Sequence, residues 1–308
     1  MRVTKSLLWD WMHLIRAEHA LMTFFAIIIS EMVVTQASLP PAFPEFWRNL
    51  GFPIFAFFSA LGPALVTAAS FILNDVQGFA SDHANKRFER PLVRGTISKT
   101  RARNASIVLF ALGLAASFFV NAYAFLITLG FSILAVAYDP VLKKKPFLGN
   151  LYIAGSMAIP FVYGNVAASV SAQTFTIPPQ LALDDSIVVF SLVAFVVGLG
   201  RELIITLRDV HGDRAVGALT LPMVIGARNT VRLSSFFIIS AVALSMVPLL
   251  QQFYVYYLFF ISGTDALLLF TIYKINKSHD TATLKACRNY TLLALIIGLF
   301  AFSTLAFK

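Results

Sequence analysis

Nine predominantly apolar stretches recur along the chain, at roughly 20–38, 52–73, 105–121, 123–138, 147–170, 186–205, 233–250, 253–273 and 290–307. Crossing the hydrocarbon core takes a helix of about 20 apolar residues. A chain with this many such stretches is expected to be an all-α polytopic membrane protein with about nine transmembrane helices. The third and fourth stretches meet near Asn121, and the seventh and eighth near Gln251 and Gln252, which predicts two tight helical hairpins.

Composition agrees. Of 308 residues, 58% are hydrophobic and only 13% charged, against about 45–50% and about 25% in soluble domains. That excludes a soluble enzyme and a disordered chain. The lone Cys287 excludes an intrachain disulfide framework. No second soluble domain is evident, so residues 1–308 read as one intramembrane domain. A mixed-charge segment at 1–19 contains Trp9, Trp11, Met12, Leu14 and Ile15 and reads as an interfacial amphipathic helix. No cleavable signal peptide is evident.

The net charge of +9 is a topology signal rather than a nucleic-acid surface. Numbering the connections alternately, only Arg48 and Lys308 among the 24 basic residues fall on the second face. The positive-inside rule makes the rich face cytoplasmic, in a multi-pass protein of the cell membrane. The longest polar connections, 75–104 and 206–232, both lie on that face.

Acids gather where helices leave the membrane. If the second helix continues, Asp75 and Asp82 lie about 20° apart around its axis. Asp209 and Asp213, at i and i+4, also share a face. Two carboxylate pairs on two helix ends suit Mg²⁺, which favours a few carboxylates, waters and phosphate oxygens. Arg90, Arg94, Lys143 and Lys144 all lie in loops on that same face, and such cations neutralise a diphosphate.

Asn74-Asp75…Asp82 followed by Arg90-Pro91-Leu92-Val93-Arg94-Gly95 resembles the first aspartate-rich region of UbiA-type intramembrane prenyltransferases. Asp209-Val210-His211-Gly212-Asp213, continuing to Gly217 and Thr220-Leu221-Pro222, resembles the second. Tyr138 to Asn150, with Lys143 and Gly149-Asn150, is similar to the loop between them. Within the family, the two motifs most resemble the archaeal digeranylgeranylglyceryl phosphate synthases. The resemblance implies helices around a central cavity, capped on the cytoplasmic side by aspartate-rich loops or short helices. It implies Mg²⁺ on Asn74, Asp75, Asp82, Asp209 and Asp213, the four aspartates being catalytic. It also implies a diphosphate held by Asn74, Arg16, Arg90, Arg94, Lys143, Lys144 and Tyr138.

The expected reaction is prenyl transfer, with geranylgeranyl diphosphate as donor and geranylgeranylglyceryl phosphate as acceptor, within archaeal ether-lipid synthesis. An allylic cation requires excluded water and aromatic faces. The chain holds 30 Phe, but most are expected to face lipid, so none is singled out. Two departures stand out. Gly78 occupies the place of the middle acid of the first motif, and Thr206 that of an acid before the second. An acid restored at 78 is expected to tighten Mg²⁺ dependence if that position faces Asn74 and Asp82 on a continuous helix.

Other readings are an aromatic acceptor, a weakly active isoprenoid-binding homologue, and a cation-coupled transporter. A transporter places its ionisable residues near the bilayer midplane, whereas these acids sit at helix ends. Glu31 and Asp265, inside spans, divide between cavity lining and an interhelical hydrogen bond. His211 is weighed as a base against a simple hydrogen-bond partner, and Arg16 as a diphosphate ligand against an interfacial snorkel.

Overall fold

Helices of 19 to 31 residues dominate the computed structural model, which describes residues 7–36, 38–39, 43–169, 183–252 and 254–307. Arg2, Lys5 and Lys308, counted above for topology, lie outside the described residues, as do positions 37, 170 and 253 of the expected stretches. In chain order the helices are α1 (Leu7–Leu14), α2 (Ala17–Thr35), α3 (Glu45–Leu50), α4 (Phe52–Gln77), α5 (Phe79–Ala84), α6 (Pro91–Arg94), α7 (Lys99–Val120) and α8 (Ala122–Ala137). A π-turn over Tyr138–Leu142 follows α8. Then come α9 (Leu148–Ser169), α10 (Asp185–Ala215), α11 (Leu221–Ser245), α12 (Val247–Gln251), α13 (Val255–Lys277) and α14 (Thr281–Thr304).

Nine of the described segments are long and apolar enough to cross a membrane. Their order matches the nine apolar stretches. Asn121 breaks the chain between α7 and α8 with extended backbone, and its Oδ1 caps α8 by accepting from the Ala124 amide at 2.8 Å. Leu7, Leu8, Trp9 and Met12 of α1 are exposed, while Asp10 and Leu14 are buried. The helix expected over 1–19 is described only from Leu7, ends at Leu14, and is separated by a corner at Arg16 from α2.

Two expected loops are largely helix. Asp209 and Asp213 stand on α10 itself, which runs to Ala215, and α11 resumes at Leu221. The region 206–232 therefore contains only a short non-helical link, with a break in α11 at Gly226 (φ 79°). Likewise α14 starts at Thr281, which puts Lys285 and Arg288 on a helix. The first aspartate motif departs the other way. Its helix ends at Gln77, Gly78 caps it with φ −79° and ψ 4°, and Asp82 belongs to the separate short helix α5.

Lipid offers little hydrophobic drive between helices, so close backbone approach does much of the packing. Gly62 of α4 and Gly113 of α7 face each other. A Cβ on Gly113 would lie 2.7 Å from the Gly62 carbonyl oxygen. At the end remote from the aspartates, Phe161, Phe190, Tyr257 and Phe302 pack into one cluster, with Phe190 and Phe302 stacked at 4.1 Å. Phe161 and Phe302 of this cluster line the far end of a space that the helices surround.

Candidate active site

A cavity of about 860 Å³ runs from that cluster to the basic end of the bundle. Pockets of roughly 300–1,000 Å³ are typical for small-molecule ligands. Its deep wall is apolar, with Ile127, Phe131, Ile153, Met157, Val197 and Leu268 facing inward. Its mouth carries nearly all the charge.

There, acids and bases alternate. Arg90 Nη1 donates to Asp75 Oδ1 at 2.8 Å and also to Asp82 Oδ2. Arg87 Nη1 donates to Asp82 Oδ1 at 3.1 Å, and its Nη2 forms an ion pair with Asp209. Arg208 closes on Asp209 with two hydrogen bonds of 2.9 and 3.1 Å. Lys143 Nζ lies 3.2 Å from Asp213 Oδ1 and 3.6 Å from Asp139 Oδ1. Arg90 and Arg87 therefore join Asp75, Asp82 and Asp209 of α4, α5 and α10 into one network, with Asp213 on Lys143 beside it, although the first motif is split between two helices.

Backbone and small polar groups hold the two motifs together. Ser81 Oγ donates to Asp213 Oδ1 at 3.1 Å, and the Gly212 amide donates to Asn85 Oδ1 at 2.9 Å. Any Cβ at Gly212 would overlap the Asn85 side chain. The glycine inside Asp209–Asp213 thus permits the contact that docks α5 on α10. Gly149 does similar work near the π-turn, where a Cβ would lie 3.3 Å from Lys143 Cα and 3.5 Å from Tyr138.

Burial pushes the Asp82 carboxyl above its ordinary value, opposed by the charges of Arg90 and Arg87. Burial works against the Lys143 ammonium, but Asp213 and Asp139 outweigh it and hold its pKa up. Burial lowers Arg90 despite Asp75 beside it.

Asn74, Tyr138, Arg16, Arg90 and Lys143 all line the cavity. Arg16 has left-handed backbone (φ 47°) at the α1–α2 corner, and its guanidinium lies over the Phe71 ring at 4.5 Å. From there Nη2 donates to Asp75 Oδ1 at 3.2 Å, so it is no free snorkel. Two expected diphosphate ligands stand elsewhere. Arg94 pairs with Asp10 of α1, and Lys144 is exposed; neither lines the cavity. Arg94 ties α6 to α1, a long-range pairing that loop position alone does not reveal.

Asp265 lines the cavity and its Oδ2 accepts from Ser245 Oγ at 3.0 Å. Glu31 is fully buried away from it, and neither of its carboxylate oxygens has a partner among the described residues. His211 is exposed at the rim. Arg87 and Asp139, which no motif spacing marks, join the ion pairs of the mouth, and Arg201 and Glu202 pair on α10. Arg87 follows Asp82 by one helical turn and more, and that proximity to a motif acid was the available signal. Thr206 Oγ1 accepts from Asn150 Nδ2 at 2.8 Å, joining two lining residues where an acid was expected.

Residues 22–305 match the model of the UbiA prenyltransferase family. Over 304 residues the chain is 31% identical to the digeranylgeranylglyceryl phosphate synthase of Archaeoglobus fulgidus, covering 97% of this chain and 95% of that one. Its fold is similar to that of a UbiA homologue from Aeropyrum pernix K1, with a TM-score of 0.70, 18% identity and coverage of 91% and 95%. A UbiA homologue from Archaeoglobus fulgidus bound to GPP and Mg²⁺ is similar at a TM-score of 0.60, with 19% identity and coverage of 96% and 99%. With its cavity, its paired aspartate motifs and a family match over nearly its whole length, this integral membrane protein belongs to the UbiA prenyltransferase family.

Proposed function

We propose that this protein transfers a geranylgeranyl group from geranylgeranyl diphosphate to the free hydroxyl of geranylgeranylglyceryl phosphate, at the cytoplasmic face of the cell membrane, with Mg²⁺ as cofactor. The observation that carries this reading is the alternating set of acids and bases at one end of a largely apolar cavity whose far end is lined by Phe161 and Phe302. An isoprenyl diphosphate has the matching shape: a long hydrocarbon tail for the cavity and a polyanion for its mouth. The synthase names of the relatives point to the glyceryl phosphate acceptor.

The residues fit Mg²⁺ by donor chemistry. Asp75, Asp82, Asp209, Asp213 and Asn74 offer only oxygen, as a hard cation prefers. Asp139 adds a buried Oδ2 with no partner among the described residues. No three of these groups converge on one point among the described residues, because Arg87 and Arg90 stand between the carboxylates. Those aspartates would hold the metal, which would supply charge that stabilises the departing diphosphate.

The protein's own groups do the rest. In this reading Arg90 and Lys143, which line the mouth, neutralise the diphosphate as the C1–O bond breaks and its electron pair leaves on the α-phosphate oxygen. The apolar wall keeps water from the allylic cation. The acceptor hydroxyl oxygen then bonds to C1 and gives up its proton, and a mouth carboxylate or the released diphosphate is within the same polar region to take it.

Purified protein incubated with geranylgeranyl diphosphate, Mg²⁺ and a panel of acceptors tests the assignment by mass spectrometry. The expected product is the digeranylgeranylglyceryl phosphate. Product with an aromatic acceptor alone, or none under conditions where a relative is active, overturns it.

A further inference from the structure

Next to the acids and cations of the mouth, and joined to them where Arg16 touches Asp75, a second group of cations lines the cavity. Arg16 on the α1–α2 corner, Arg201 on α10 and Arg288 on α14 all line it, and α2, α10 and α14 pack against one another. Arg201 precedes Asp209 by eight residues, about 12 Å of helix rise toward the far end. Arg288 lies seven residues into α14, about 10 Å from its start at the mouth. The two helices thus bring these arginines to comparable depth, below the aspartate network.

The local acids do not neutralise this wall. Glu202 pairs with Arg201 through Nη1 at 3.0 Å, but the Arg201 Nε is buried with no partner among the described residues. Arg201 is only 4% exposed. Arg16 is shared with Asp75, Glu18 sits against His19 at 3.4 Å, and no described carboxylate pairs with Arg288. Thr206, one turn beyond Glu202, carries no charge. A buried guanidinium with an idle donor is costly unless a ligand completes it. Guanidinium groups match phosphate oxygens in geometry and charge.

We infer that Arg201 and Arg288, with Arg16 at their edge, form a second anion subsite that takes the phosphomonoester of the acceptor lipid, apart from the site of the donor diphosphate. This rests on the proposed reading that the acceptor carries a phosphate. It makes the wall of α2, α10 and α14 the device that selects a phosphorylated lipid over an uncharged one. The acceptor's hydrocarbon shares the apolar cavity, and its hydroxyl faces the donor C1 from this wall.

Titration calorimetry of the purified protein, without donor, is the direct test. The probes are geranylgeranylglyceryl phosphate, the same lipid without its phosphate, and inorganic diphosphate. The wild type is expected to bind the phosphorylated lipid at least about tenfold more tightly than the dephosphorylated one, as for a charged hydrogen-bond partner. Arg288→Gln is expected to remove most of that preference, and Arg288→Lys to keep part of it. In turnover, Arg288→Gln is expected to raise the acceptor KM about tenfold, leaving the geranylgeranyl diphosphate KM within about twofold. Arg288 is chosen because Arg201→Gln strands Glu202 in a buried site and risks misfolding; Arg201→Lys is the milder second variant. Equal wild-type affinity for the two lipids overturns the proposal. So does a rise in donor KM, or lost inorganic diphosphate binding, without a change for the acceptor. Selective phosphorylated-lipid binding with no product formed leaves this subsite standing and defeats the proposed function instead.

Discussion

Gly78 and Asp139 compete for one small volume. A Cβ at Gly78 would lie 2.8 Å from the Asn74 carbonyl oxygen and 3.6 Å from Asp139 Oδ1. An acid at 78 therefore presses on backbone and sets a second carboxylate beside Asp139. Gly78→Asp is expected to weaken Mg²⁺ dependence, reversing the expectation from a continuous helix, and to lower thermal stability. Adding Asp139→Asn is expected to recover the metal response, measured as the Mg²⁺ concentration for half-maximal activity. Tighter dependence in Gly78→Asp alone would show that Asp139 moves aside. Asp82 yields a second prediction. Its carboxyl is held above the ordinary value of 3.8 by burial, and metal binding needs it ionised. As pH falls through that raised pKa, protons compete with Mg²⁺, so apparent metal affinity drops earlier than for an ordinary aspartate. Raising Mg²⁺ favours the ionised form and shifts the acid limb to lower pH. A limb insensitive to Mg²⁺ concentration would contradict this. The paired change Asp209→Asn with Asp213→Asn is expected to cut the rate by at least about 10²–10³, the scale of losing one preorganised electrostatic stabiliser. Circular dichroism should stay unchanged, because both stand at the open end of α10 rather than among the packed spans.

Elements differ in how plainly the sequence announced them. Hydropathy marks where a chain lies in hydrocarbon, and it located all nine crossings because the bilayer imposes that length. It says nothing of where a helix stops in water. At 31 residues α10 is about 46 Å long, well beyond a core of about 30 Å. Its extension carries Arg208, Asp209, Asp213 and Arg214, and arginine is a good helix former. The same holds for Lys285 and Arg288 in α14. Conversely, Gly78 ended α4 where a seven-residue spacing suggested continuity, since glycine weakens a helix interior. Motif spacing named the four aspartates. Arg87 and the Arg94–Asp10 pair escaped it because their partners are set by docking of α5, α6 and α1, which no local pattern encodes. The α4–α7 seam offers a test of packing without chemistry. Gly62→Val drives its side chain against the Gly113 carbonyl, 2.9 Å from a Cβ there. The melting temperature in detergent is expected to fall by several degrees, while folded protein keeps wild-type KM for both substrates. A changed KM with unchanged stability would mean that this seam shapes the cavity.

Across the whole molecule, one face carries almost every basic residue, and the same face holds the cavity mouth. Geometry already demands that the two aspartate motifs share a side, because Ser81 touches Asp213 and Arg87 reaches Asp209. Which side is the separate claim, and it follows from the charge bias alone. A cytoplasmic mouth suits the chemistry, since a lipid acceptor and a diphosphate donor then arrive where charged precursors are made. Single-cysteine variants decide it. Cys287 is fully buried, so the parent chain offers a quiet background to a membrane-impermeant maleimide. Lys86→Cys and Arg214→Cys mark the mouth, and Arg48→Cys marks the opposite end; all three positions are exposed. In intact cells only the cysteine at 48 is expected to react, with 86 and 214 labelled after permeabilisation. The reverse pattern would put the active site outside and remove the cytoplasmic assignment while keeping the fold. Labelling of 86 and 214 from opposite sides would break the fold itself, because no single network could then join Asp82 to Asp209.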